Sequence, residues 1–133
     1  MAFYLKLYGL TVPVFFVFDM IWLGFIAKGF YRRNLHFILS ADVNWAAAVV
    51  FYMIYVAGIL FFAVRPAIAV HSLREAAVLG ALFGFFTYAT YDLTNMATIK
   101  NWPIAIVVVD IVWGVFLCAL VASAGFTMAG WLL

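Results

Sequence analysis

Four long apolar runs, at residues 5–27, 45–64, 76–99 and 103–132, are separated by three short polar interruptions. A run of about 20 apolar residues is what a helix rising ~1.5 Å per residue needs to cross ~30 Å of hydrocarbon. The runs are continuous, whereas strands of a membrane barrel alternate apolar and polar over ~10 residues, so the pattern predicts helices. Short connections make sequential helices antiparallel neighbours. The expected fold is all-α: a polytopic membrane protein built as a four-transmembrane-helix antiparallel bundle, one domain over residues 1–133. Composition agrees, because 71% of the residues are hydrophobic, 9% are charged and the mean hydropathy is +1.23, a surface no aqueous fold could hide.

The interruptions refine this picture. The first run carries Asp19 in its interior and reaches Lys28-Gly29-Phe30 without a small-x-small cleavage site, so it is expected as a retained helix and not a signal peptide. The first connection, residues 28–44, mixes cations with apolar side chains and suits a short segment in the headgroup layer. In the second, Ser72-Leu73-Arg74-Glu75 has capping-box spacing, which places a helix start near Leu73. The third is Lys100-Asn101-Trp102-Pro103, a tight reversal with the proline in the first turn and Trp102 at the interface. Lys6, Arg65 and Arg74 lie on the face of the termini, against Lys28, Arg32, Arg33 and Lys100 on the other, so the Lys/Arg bias of three to four leaves the orientation open. A net charge of +2 offers no basic stripe for nucleic acid. The lone Cys118 has no disulfide partner, and His36 and His71 lie on opposite faces where they cannot join one metal site. A carboxylate cage without histidine argues against a di-iron bundle, and no metal or cofactor is assigned.

Candidate chemistry lies in the acidic residues. Asp42 and Glu75 sit at helix starts, where they complement the dipole. Asp19 lies nine residues before Lys28, Asp92 eight before Lys100 and Asp110 seven after Pro103, so all three carboxyls fall at similar depth, ~10–14 Å inside one face. On the third helix Gly80, Gly84, Thr87, Tyr88, Tyr91, Asp92, Thr94, Asn95 and Thr98 share a side that in lipid should be buried. Gly80-x-x-x-Gly84 continues that side and permits close approach of another helix; Asp110, Gly114, Val121 and Gly125 form a second narrow face. Asp19 shares a face with Tyr8, Phe15 and Trp22, and Tyr52 and Tyr55 align on the second helix. Trp22 and Trp113 repeat an Asp-x-x-Trp spacing, which marks either two similar helix faces meeting or a chance repeat.

Such a layer can be hydrogen-bonded glue or a functional site. Two unit charges ~6 Å apart repel by about 3 kcal/mol at an effective dielectric near 20. Three ionised carboxylates together are therefore disfavoured without a bound cation or residual protons. That points to a proton or cation site formed by Asp19, Asp92 and Asp110, with Tyr52, Tyr55, Tyr88, Tyr91 and Asn95 shaping it. Asp92 has the densest set of neighbours on its own helix.

Phe18-Asp19-x-x-Trp22-Leu23-Gly24, Phe51-Tyr52-x-x-Tyr55-x-x-Gly58, Tyr88-x-x-Tyr91-Asp92-Leu93-Thr94-Asn95, Trp102-Pro103 and Asp110-x-x-Trp113-Gly114 together resemble a family of small bacterial four-helix membrane proteins, a predicted membrane domain of unknown function. The resemblance covers the whole chain, and Tyr-Asp-Leu-Thr-Asn is its most specific stretch. It implies a bacterial inner-membrane location and a four-helix fold, and carries no catalytic role. Three functions are compatible with the residues: proton- or cation-coupled transport of a small solute, a membrane enzyme acting on a lipid or isoprenoid by carboxyl acid/base chemistry, and an accessory subunit of a larger membrane complex. A pocket open to water favours the first, one open to lipid the second and a sealed layer the third. Four helices are few for a transport path, which brings in a homodimer with Gly80/Gly84 or the Asp110 to Gly125 face as its seam.

Overall fold

The computed structural model describes residues 1–133 and is helical throughout, without strands. Helix α1 (Ala2–Ile21) runs into a π-helical turn, Trp22–Ile26, and a short helix α2 (Lys28–Leu35) follows. Helix α3 (Trp45–Ile59) continues through a second π turn, Leu60–Val64, into α4 (Arg65–Ala69). Helices α5 (Leu73–Thr98) and α6 (Ile104–Leu132) complete the chain. Four stretches are long and apolar enough to cross a membrane: Ala2–Ile26, Trp45–Ala69, Leu73–Thr98 and Ile104–Leu132. The protein is thus an all-α, four-span membrane protein.

Local chemistry sets the ends. Asn44 caps α3 by accepting from the Ala47 N–H at 3.1 Å, and Ser72 caps α5 by accepting from Glu75 N–H at 3.1 Å. Asn101 adopts φ 63°, a left-handed conformation that asparagine tolerates, and this closes the α5–α6 reversal within five residues. Pro103 stands just before the first helical residue of α6, not inside its first turn.

Helices α5 and α6 make the closest pair. A Cβ on Gly80 would collide with the Cys118 carbonyl and one on Gly84 with the Gly114 carbonyl, so the backbones touch because no side chain intervenes. Gly125 packs against Val64 and Leu60 of the second span. Both small-residue faces are consumed inside one protomer, which removes them as seams between two copies.

Packing is uneven along the membrane normal. In the half nearer the termini, Leu7, Val56, Ile59, Ala63, Val64, Leu117, Val121 and Ala122 form a continuous buried core. There the π turn at Leu60–Val64 and α4 pack directly on α5. In the other half α3 stays clear of α5, and the gap is bridged by side chains, with Tyr55 meeting Phe83 at 5.2 Å and Tyr88 at 6.3 Å between ring centroids. A second small cluster, Leu35, Trp102, Ile106 and Val107, pins α2 against the start of α6. Only 30 of 133 residues are buried, and the many exposed Leu, Ile, Val and Phe side chains form the surface offered to lipid.

One expectation about α5 needs correction. Its polar side is not buried as a whole: Thr94 and Thr98 are exposed, as is Thr90, which lies outside that side. Each hydroxyl donates to the carbonyl four residues earlier, Thr90 to Phe86 at 2.6 Å, Thr98 to Thr94 at 2.8 Å, and Thr94 to Thr90. A hydroxyl satisfied by its own helix can face hydrocarbon, so polarity alone does not identify the inward face.

Candidate functional site

Where the helices splay, they enclose a cavity of about 620 Å³ lined by Asp19, Trp22, Leu23, Tyr31, Phe51, Tyr52, Tyr55, Thr87, Tyr88, Tyr91, Asp110 and Trp113. Every span contributes, and α2 adds Tyr31. Leu23, Phe51 and Tyr91 are 40%, 47% and 57% exposed and rim its mouth, and all three lie within stretches long and apolar enough to cross a membrane. The opposite wall is the α1–α6 contact, where Trp22 and Trp113 stack with centroids 4.5 Å apart and planes 8° from parallel. The two Asp-x-x-Trp faces therefore meet.

The carboxyls have distinct surroundings. Asp19 accepts from the Tyr52 hydroxyl at 2.9 Å, with the Trp113 indole N–H close by but outside hydrogen-bond geometry. Asp110 accepts from Tyr31, whose oxygen in turn accepts from the Trp22 indole N–H at 3.1 Å. Asp92 has no exposed surface and does not reach the cavity; neither of its carboxyl oxygens meets a hydrogen-bond donor. Its neighbours are the Asp110 carboxyl, within sharing distance of a proton, and the Trp102 indole, which falls short of hydrogen-bond geometry. The three acids thus form a pair, Asp92 with Asp110, and a single group, Asp19, on the neighbouring helix of the same wall; they do not converge on one point that could hold a metal ion.

A buried carboxylate without a donor is costly, and two such groups side by side are costlier still. A proton held between Asp92 and Asp110 removes both penalties, since the protonated acid donates to its neighbour. Asp110 then faces the cavity, and Asp92 lies sealed behind it beside Trp102, so the pair runs from the cavity wall into the packed interior.

Other polar groups are satisfied in a chain. The Thr87 hydroxyl donates to the Phe83 carbonyl at 2.8 Å, so its oxygen accepts from Tyr55 at 2.7 Å, and the Tyr55 oxygen is left to accept from the Cys118 thiol at 3.2 Å. Tyr88 lies over Gly114, where any Cβ would strike its ring, and its hydroxyl has no partner in the protein. The expected partners of Asp92 on its own helix do not reach it. Helical side chains lean toward the N-terminus, which carries Tyr88 a turn away into the cavity, while Tyr91 turns outward onto Trp102 at 6.1 Å. Asn95 sits beside Tyr91 and does not line the cavity.

Tyr31 is the functional candidate that sequence reasoning missed. Residues 28–44 do not all lie in the headgroup layer: α2 exposes Arg32 and Arg33 but turns Tyr31 and Leu35 inward. Burial, and next the hydrogen bond to Asp110, pushes the Tyr31 phenol above its usual value. Whatever stability this gives is complete below about pH 10 and is lost only as pH rises through the higher folded-state value, so Tyr31 stays a donor at neutral pH. Tyr31→Phe leaves Asp110 without its phenol and Trp22 without its acceptor, and is expected to lower stability by about 1–3 kcal/mol, read as a lower melting temperature in detergent. An unchanged melting temperature would mean that the Tyr31–Asp110 bond does not form.

Residues 4–127 match the family described as predicted membrane protein (DUF2177). The chain belongs to this family. The match spans all four helices and every residue of the cavity, and the family's description assigns no activity. No curated protein and no solved structure matches the chain.

Proposed function

We propose that this protein is a proton-coupled transporter of a small solute, working in the inner membrane of a bacterium. The observation that carries this reading is the Asp92–Asp110 pair, in which one carboxyl lines the cavity and the other is donorless and sealed behind it. A solute at Asp110 changes the charge of the cavity, and the shared proton is the group that answers. The Tyr31 bond holds Asp110 in place. A second copy, or a larger membrane complex, would supply the remaining wall of the path, using surfaces other than the glycine faces.

Asp92→Asn separates proton exchange from glue. Asparagine keeps the shape and offers an N–H to Asp110, so the fold survives while the proton shared between two acids is gone. Melting temperature in detergent between about pH 5 and pH 9 is expected to vary with pH in the wild type and to flatten in the variant. Superimposable curves overturn the reading and leave a hydrogen-bonded seam.

The apolar rim of the cavity favours a second reading, an enzyme that takes a lipid-dissolved substrate and uses Asp19 and Asp110, side by side on the α1–α6 wall, as base and acid. Conversion of a component of a bacterial lipid extract by the purified protein, lost in Asp19→Asn, would establish it in place of transport.

A further inference from the structure

The lining of the cavity is selective in its chemistry. Two carboxyls, Asp19 and Asp110, face it from the adjacent helices α1 and α6, and no Lys, Arg or His side chain contributes to the wall. Around them stand the stacked Trp22–Trp113 pair and the rings of Tyr52, Tyr55 and Tyr88. Aromatic faces are electron-rich and attract cations, most strongly where water is excluded, and an aromatic cage with a carboxylate is the arrangement that recognises alkylated ammonium groups. At about 620 Å³ the cavity is sized for an organic molecule and far exceeds a bare ion. Leu23, Phe51 and Tyr91 at its mouth all lie within membrane-spanning stretches, a rim that a lipophilic cation passes and a hydrated one avoids. An anionic ligand would meet like charge, and a neutral hydrocarbon would gain nothing from either acid.

The geometry points to a lipophilic organic cation, a quaternary ammonium or phosphonium, as the ligand of this cavity, entering sideways from the bilayer and displacing a proton from Asp19 or Asp110. This rests on the proton-coupled reading above and names its substrate class. The exchange balances: the protonated carboxyl gives its proton to water, the carboxylate that remains pairs with the cation, and the net charge of the cavity is unchanged. No covalent bond forms within the ligand or breaks.

The test uses the purified full chain in a non-ionic detergent, with tetraphenylphosphonium as probe and neutral triphenylphosphine oxide as its near-isosteric control, followed by calorimetry and by a pH dye in weakly buffered solution. Tetraphenylphosphonium is expected to bind at least about tenfold more tightly than the oxide, with ~1 proton released per cation and affinity rising with pH while the carboxyl is still protonated. Asp19→Asn/Asp110→Asn should abolish proton release and weaken the cation by about tenfold or more, leaving the oxide unaffected; Trp113→Leu should weaken the cation but keep the proton release of what binds. Equal binding of cation and oxide without proton release overturns the cation assignment. If that result comes with the pH-dependent melting that Asp92→Asn flattens, the proton-coupled reading survives and only the ligand class fails; if melting is also independent of pH, both fall.

Discussion

Gly84→Ala is expected to lower the melting temperature steeply, or to prevent accumulation of folded protein, although it adds a single methyl group to a transmembrane helix. The new Cβ would fall on the Gly114 carbonyl, and a carbonyl held in the α6 ladder cannot turn aside as a side chain can. Relief requires α5 and α6 to separate along the seam that also joins Gly80 to Cys118. Overpacking of a tight core costs about 1–3 kcal/mol and sometimes more; with backbone as the obstacle the upper end applies. At Gly9, Gly24 and Gly130 an added methyl would meet nothing within 4 Å, so alanine there serves as a control and should leave melting nearly unchanged. Gly58 lies between, because the obstacle there is the tip of the Phe83 ring, which can swing. Equal melting temperatures for Gly84→Ala and Gly9→Ala would show that α5 and α6 do not meet through backbone.

The second large effect is a contrast at Asp110. Asp110→Asn should preserve stability, because the amide oxygen still accepts from Tyr31 and the amide nitrogen supplies the donor that Asp92 lacks. Asp110→Leu strands both partners, and each buried group left unsatisfied costs about 1–3 kcal/mol. Melting should therefore fall sharply for leucine and little for asparagine, while the coupled transport proposed above should be lost in both. Transport that persists in Asp110→Asn would remove the acid pair from the mechanism. Equal stability of the two variants would show that neither Tyr31 nor Asp92 depends on residue 110.

Much of the fold was legible because hydropathy and length constrain a membrane helix so strongly. The four runs, the capping of α5 by Ser72 and the reversal at Asn101 all follow from local sequence. Asp19 and Asp110 could be assigned a common depth by counting from the polar ends, since the rise per residue is fixed. Asp92 was legible in depth but not in partners: sequence spacing tells which residues share its helical face, whereas a short side chain is satisfied by the helix opposite. Tyr31 left no signal, because its inward turn depends on how Leu35 and Trp102 pin α2 to α6, and that contact joins residues far apart in the chain. The two glycine faces were found by spacing; which helix each would meet required the backbone to be placed.

The α5–α6 hairpin also bears on how the chain enters the bilayer. The α5 span has the lowest mean hydropathy of the four, 1.3 against 2.8 for α6, and carries Asp92. Part of its deficit is nominal, because the exposed threonines bond to their own helix and present little unsatisfied polarity to hydrocarbon. The ionisable group deep in this span is Asp92, whose nearest relief is Asp110 on the next helix. With a five-residue reversal and a glycine seam between them, the strongly apolar helix carries its weaker neighbour across, so the two partition as one unit, and a chain truncated before α6 should leave α5 poorly inserted.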